Sequence, residues 1–296
     1  MNLRDLGYLV ALADTRHFGR AAERSHVSQP TLSAQIRKLE EYLGVQLIER
    51  QPRRIALTDV GERVVERARR VLRDTAEMVE VARLSRDPLA GRLRVGLIPT
   101  VGPYLLPLVT ARLRKSLPRL QLLLFEYQTE PLLARLRDGE LDLGILALGV
   151  ETAGLETRAL FEEPFNVALP AAHALASRTT LRPEDLAGET LLLLEDGHCL
   201  REQALEVCGR VDVRETQDFR GTSLETLRQM VAAGLGVTLL PELATRGPFA
   251  GGRSIAIRPF ARPVPRRTIG ATWRRSSTRR AAIDGVCDAL AAALAA

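Results

Sequence analysis

Lysine is nearly absent from this chain: only Lys38 and Lys115 stand among its 42 basic residues. That uniform arginine bias reads as genome composition, so the formal net charge of +6 is by itself weak evidence for an anionic partner. Long apolar runs are also missing. No stretch approaches the roughly 18 residues that a membrane span needs, and the N-terminus MNLRDLGYLV lacks the basic-then-apolar pattern of a signal peptide. A cytoplasmic protein with no membrane contact is expected. Cysteine is scarce, with three in 296 residues, too few for a disulfide framework and, in that compartment, more suggestive of redox chemistry or metal binding. Two of them, Cys199 and Cys208, lie nine positions apart beside a single histidine, a spacing that matches no usual zinc pattern. Neither a metal nor a cofactor is expected.

The length predicts two or three units with real cores. Charge is unevenly spread. Residues 1–86 hold 16 basic and 12 acidic residues, against 26 and 24 in the remainder, so the excess concentrates at the N-terminus. There Asn2 can cap a helix with Leu3, Leu6, Leu9, Val10 and Ala13 on one face. A short helix around Ala21 and Ala22 follows, His26-Val27 turns the chain, and Ser28 can cap a helix with Pro30 in its first turn and Leu32, Ile36, Leu39 and Leu43 facing inward. The opposite face carries small, hydroxyl and basic groups suited to a major groove: Gln29, Pro30, Thr31, Ser33, Arg37 and Lys38 are the candidate DNA contacts. Two short strands then bring Arg50, Arg53 and Arg54 to a wing that can reach phosphates or a minor groove. Thr58 can cap a long helix to about residue 85. Val64, Val71 and Met78 recur in it every seven positions, as do Val65, Leu72 and Val79, with the small Ala68, Thr75 and Ala82 between them. This reads as a dimer seam that would set two recognition helices on a palindromic site.

The run FGRAAERSHVSQPTLSAQIRKLEEYLGVQLIERQPRRIALTDVGE is similar to the DNA-binding domain of LysR-type transcriptional regulators. The expected division is a winged helix-turn-helix over residues 1–58, a linker and dimerisation helix over 59–86, and a regulatory domain over 87–296. Within the last, LRVGLIPT, LQLLLFEYQ and LDLGILAL read as buried strands alternating with helices, and residues 167–170, TLLLLE and GVTLLP continue the pattern. The fold class is therefore α/β, with mainly parallel strands. The resemblance implies two Rossmann-like subdomains like those of periplasmic binding proteins, one from about 87–162 and 268–296, the other from about 163–267, with an effector crevice between. Thr100 and Thr129 stand at the ends of the first two strands, where ligands of open α/β sheets gather, although either can equally be a turn or capping threonine.

Cys199 falls in the first turn of a helix reading LREQALEV, beside Arg201, while Glu195 and Asp196 oppose its ionisation. Were residues 199–208 continuous helix, their Cα atoms would stand about 13.5 Å apart, beyond the roughly 7 Å limit of a disulfide. Bonding them would require unwinding, as a switch needs; two buried structural thiols are the other reading. Here LLLLEDGHCLREQALEVC, DFRGTSLETLRQMVAAGLGVTLLP and PRRTIG resemble the peroxide-sensing members of the LysR family. That resemblance implies that Cys199 attacks peroxide, that Cys208 resolves the sulfenic acid as a disulfide, and that Thr100, Thr129, His198 and Arg266 line the pocket. It further implies a tetramer built as a dimer of dimers, activation through RNA polymerase, and resetting by cellular thiol reductants. Glu202 stands where those members are expected to carry Asp, and Asp218 where His is expected. Cys287 reads as a packing residue. A LysR-type regulator of a small metabolite and a thiol peroxidase are the rival readings.

Overall fold

Asn2 starts the first helix by a reciprocal pair of bonds: its side chain accepts from the Asp5 amide at 3.0 Å, and the Asp5 carboxylate accepts from the Asn2 amide at 2.9 Å. In the computed structural model, which describes residues 1–51, 54–84, 87–209, 214–246 and 254–294, the chain forms two compact units, Met1–Arg86 and Asp87–Ala296.

In the first unit α1 (Leu3–Thr15) buries Leu6, Tyr8, Leu9, Ala11 and Leu12, while the expected Leu3 is exposed. α2 (Phe18–Arg24) is capped by His17, whose Nδ1 accepts from the Arg20 amide at 3.3 Å. His26 takes the turn at φ 54°, and Ser28 Oγ accepts from the Thr31 amide at 3.3 Å to open α3 (Gln29–Leu43), which Gly44 closes. Leu32, Ile36 and Leu39 are buried against α1 and α2. β1 (Ile48–Gln51) and β2 (Arg54–Leu57) pair antiparallel as the wing hairpin.

Thr58 Oγ1 accepts from the Gly61 amide at 2.9 Å and opens α4 (Asp59–Leu84). Gly61 is required here, since a Cβ would stand 2.1 Å from the Leu47 carbonyl oxygen. One part of the expected seam is corrected. Val65 and Ala68 are buried, with Val65 in the core shared with α1, because the first turns of α4 lie against that helix. Val71, Met78 and Val79 further along are exposed. Asp14 fixes this packing by pairing with Arg24 of α2 at 2.9 Å and with Arg69 of α4.

In the second unit β3 (Gly91–Leu97), α5 (Gly102–Ser116), β4 (Leu120–Glu126), α6 (Thr129–Arg137) and β5 (Leu143–Ala147) alternate, and β3 pairs parallel with both β4 and β5. All five residues of β5 are buried, as expected of a parallel strand covered on both faces. Then comes β6 (Leu155–Pro170), a 16-residue strand that serves two lobes. Its first part pairs antiparallel with β11 (Arg266–Arg274), and its second part with β10 (Ile255–Pro259) and β9 (Thr238–Pro241). The second lobe adds β7 (Thr190–Leu194), α7 (Cys199–Cys208), β8 (Arg214–Gly221) and α8 (Leu224–Ala232), with β7 and β8 parallel. β11 returns beside β5, and α9 (Arg280–Leu294) packs on α5. The sheets are thus mixed rather than mainly parallel: the chain crosses between lobes and back on strands that run against their neighbours.

Candidate functional site

The parallel strands deliver their carboxyl ends to one edge of the first lobe. Thr100, just past β3, is buried, and its hydroxyl accepts from Arg267 Nη1 at 3.0 Å while its carbonyl accepts from Nη2 at 3.0 Å. The same guanidinium pairs with Glu163 at 2.8 Å, each side chain 1% exposed. Glu163 in turn accepts from the Leu243 amide of the second lobe at 3.0 Å. This cluster ties β3, β6 and β11 where the lobes meet.

It also corrects the expected arginine. Arg266 is exposed and, with Arg262 and Glu162, lines a separate hollow, because successive residues of a strand face opposite sides. The two-sided alternation holds only at the start of β11, where Arg266 is exposed and Arg267 buried; from Ile269 to Trp273 every residue is buried.

Thr129 is the first residue of α6, buried, and its hydroxyl has no hydrogen-bond partner among the described residues. It shares a cavity of about 420 Å³ with Gly197, Cys199 and Glu202. Across the junction, Gln128 Nε2 donates to Glu195 Oε1 at 3.2 Å, tying the start of α6 to the turn that enters α7. Gly197 holds that turn at φ +94°, and a Cβ there would stand 2.8 Å from Gln128 Oε1. Gln128 and Glu163 were not singled out in the sequence, since an amide after a strand and a carboxylate within EEP carry no pattern of their own.

Cys199 is half-buried at the start of α7, and Cys208 is fully buried at its end. The helix is continuous, so the two Cα atoms are about 13.5 Å apart, and both thiols are free. Burial pushes the Cys208 thiol up to about 11, and likewise that of Cys287. His198 is buried beside Glu195, with Nε2 3.9 Å from the carboxylate. Burial lowers its pKa against the opposing pull of Glu195 and Glu202, so a neutral imidazole prevails at neutral pH. The ring lines a neighbouring crevice of about 660 Å³ together with Pro99, Tyr104 and Gln128. Burial also raises Tyr104 there to about 12. The structure therefore brings Thr129 to Cys199, sets His198 in the adjoining crevice, and gives Thr100 a bonded arginine at the lobe junction.

In the first unit Gln29, Pro30, Thr31, Arg37 and Lys38 are exposed on α3 opposite its buried stripe, and Ser33 is half-buried. Arg50 and Arg54 lie in the hairpin strands, their side chains outside the described residues; Arg53 lies outside them altogether. The side chain of Asp218 is likewise outside. No helix among the described residues is long and apolar enough to cross a membrane, and no cluster among them can hold a metal ion.

A winged helix-turn-helix followed by a two-lobed α/β unit defines a class of bacterial transcription regulators. Residues 3–62 match the bacterial regulatory helix-turn-helix family of lysR type, and residues 86–295 the LysR substrate binding domain. The DNA-binding transcriptional dual regulator OxyR of Escherichia coli is 49% identical over 99% of this chain and 95% of its own length. Among solved structures, a full-length cysteine-to-aspartate variant of OxyR from Pseudomonas aeruginosa superposes with a TM-score of 0.76 at 43% identity, covering 98% of each chain. A hydrogen-peroxide-bound cysteine-to-serine variant of Corynebacterium glutamicum OxyR gives 0.69 at 36% identity, over 99% of this chain and 92% of that one. The chain belongs to the LysR family of transcriptional regulators and, within it, to the OxyR group; it is a regulator rather than an enzyme.

Proposed function

We propose that this regulator senses hydrogen peroxide through Cys199 and Cys208. The observation that carries the reading is the placement of a half-buried thiol at the head of a helix, on a cavity with the unpartnered Thr129 hydroxyl, while the second thiol lies buried at the far end of that helix. The Cys199 thiolate attacks one peroxide oxygen: an S–O bond forms, the O–O bond breaks, and the leaving hydroxide takes a proton to become water. Thr129, with Thr100 and Arg267 supplying donors at the lobe junction and His198 alongside, would steady the charge that builds on the leaving oxygen. Cys208 then displaces water from the sulfenic acid to give the disulfide. Because the ends of α7 are too far apart to bond, that second step requires α7 to unwind, and the refolding alters the regulatory unit. Thiol reductants reverse it by exchange.

The domain division fits the same reading. Residues 1–58 bind palindromic promoter DNA through α3 and the wing, 59–86 dimerise, and 87–296 sense through subdomains of about 87–162 with 268–296, and about 163–267. Assembly as a tetramer, activation through RNA polymerase and a cytoplasmic location follow from the same proposal. Support for an effector-binding alternative comes from the crevice beside His198, of a size that takes a small metabolite.

The test is non-reducing peptide mass spectrometry after brief exposure of the reduced protein to about one equivalent of peroxide. Rapid linkage of the Cys199 and Cys208 peptides with Cys287 left free is expected. If all three thiols stay reduced although alkylation reaches Cys199, the peroxide reading fails and the crevice becomes the sensing site.

A further inference from the structure

The cavity that holds Cys199 carries charge of a single sign among the described residues. Glu202, Gln203 and Glu206 stand three, four and seven positions after Cys199, on one face of α7, and Glu130 reaches the same cavity from the first turn of α6. The rest of its described lining is uncharged. All three carboxylates are exposed, and none pairs with a basic side chain among the described residues. Across from them the Thr129 hydroxyl is buried and unpartnered. The thiol thus sits on a cavity whose floor offers a neutral polar group and whose rim repels anions.

We propose that Glu130, Glu202 and Glu206 form an acidic rim over Cys199 that admits neutral peroxides and turns away anionic ones. The inference rests on the reading that Cys199 reacts with peroxide, and it adds what selects among peroxides. The chemistry is the same for both classes. With hydrogen peroxide, thiolate sulfur gains one oxygen and is oxidised by two electrons, and hydroxide leaves. With the peroxymonosulfate monoanion, the same S–O bond forms, the O–O bond breaks and sulfate leaves with the electron pair. The two reagents differ in the charge that must cross the rim. Long-range repulsion of this kind is strongest at low salt and fades once the screening length falls to about 8 Å.

The experiment measures Cys199 oxidation in the full-length reduced protein by rapid quenching with an alkylating agent and mass spectrometry, with each reagent at two ionic strengths. It compares the parent with the double variant Glu130→Gln, Glu206→Gln, which spares Glu202 beside the thiol. At low ionic strength the double variant should react with peroxymonosulfate roughly fivefold faster than the parent. Added salt should speed the parent toward the variant, and the rate with hydrogen peroxide should stay within about twofold in both. Equal peroxymonosulfate rates for parent and variant at low salt, with hydrogen peroxide still oxidising Cys199, would overturn the acidic rim and leave the sensor standing. If hydrogen peroxide fails to oxidise Cys199 in the parent, the sensor reading falls and the rim falls with it.

Discussion

Two neighbouring arginines on β11 have opposite surroundings. Arg267 is sealed between Thr100 and Glu163, whereas Arg266 faces outward. Removing one partner of a buried, hydrogen-bonded ion pair typically costs about 3–5 kcal/mol, because the other charge is stranded. Arg267→Ala should therefore lower the urea midpoint markedly and slow peroxide oxidation of Cys199, while Arg266→Ala should leave both near the parent; equal effects would contradict the assignment. Cys208 makes a second argument at this scale. Its thiol is held at about 11 against an ordinary 9.0. Between those values the folded chain keeps a proton that the unfolded chain has lost, so stability falls as pH rises across that window and is fully present below about 9. Cys287 shifts the same way. Urea midpoints of the reduced protein at pH 8 and pH 10 should show the decline, and Cys208→Ser should remove part of it. Cys199, Cys208 and the two threonines were readable as residue types at strand and helix ends. Arg267 needed the strand's facing, and Glu163 needed a contact 104 positions away in sequence.

α7 is a helix with few of the usual supports. His198 makes no side-chain cap, the last turn holds no basic residue, and Glu202 and Glu206 sit four apart with like charge. Missing caps, unfavourable dipole charges and like-charge pairs each cost some tenths of a kcal/mol to about 1 kcal/mol. An element that must unwind for its ends to bond thus has little support at its C-terminal end and is held by Glu202 in its first turn and by its buried Leu200, Ala204 and Cys208. Glu206→Lys removes the repulsion and favours the dipole, so disulfide formation after the first oxidation should slow by about threefold, measured by stopped quenching with hydrogen peroxide as oxidant. An unchanged second step would mean that α7 is not the barrier. This helix and the buried strands β3 and β5 were visible from pattern alone. The full length of β6 was not: residues 167–170 read as strand, but ETRALFEEP before them sets polar and apolar residues in blocks rather than in alternation, and its ladder partners come from β11 more than 100 positions later.

At the scale of the whole molecule, the uncovered residues of α4 are the ones on which the proposed dimer seam rests. Val71, Met78 and Val79 remain exposed after Val65 and Ala68 have packed inside the first unit. Each large apolar side chain buried on association contributes about 1.5–3 kcal/mol. Val71→Glu should therefore shift sedimentation toward the monomer and weaken binding to a two-half-site operator more than to a single half-site. Unchanged sedimentation would refute the seam. The heptad spacing was readable in the sequence, but how far along the helix the chain itself would cover it was not, since that depends on where α1 lies.

The ladder between β6 and β11 carries one more consequence. Pro164 and Arg266 are register partners, so the chain leaves the first sheet and re-enters it at adjacent points. Everything from Phe165 to Pro265 is, in topological terms, a module spliced into a host whose cut ends already touch. A short turn joining Pro164 to Arg266 would restore an uninterrupted hairpin in the host, so the second lobe is an insertion that leaves the ladder of the sheet receiving it unbroken.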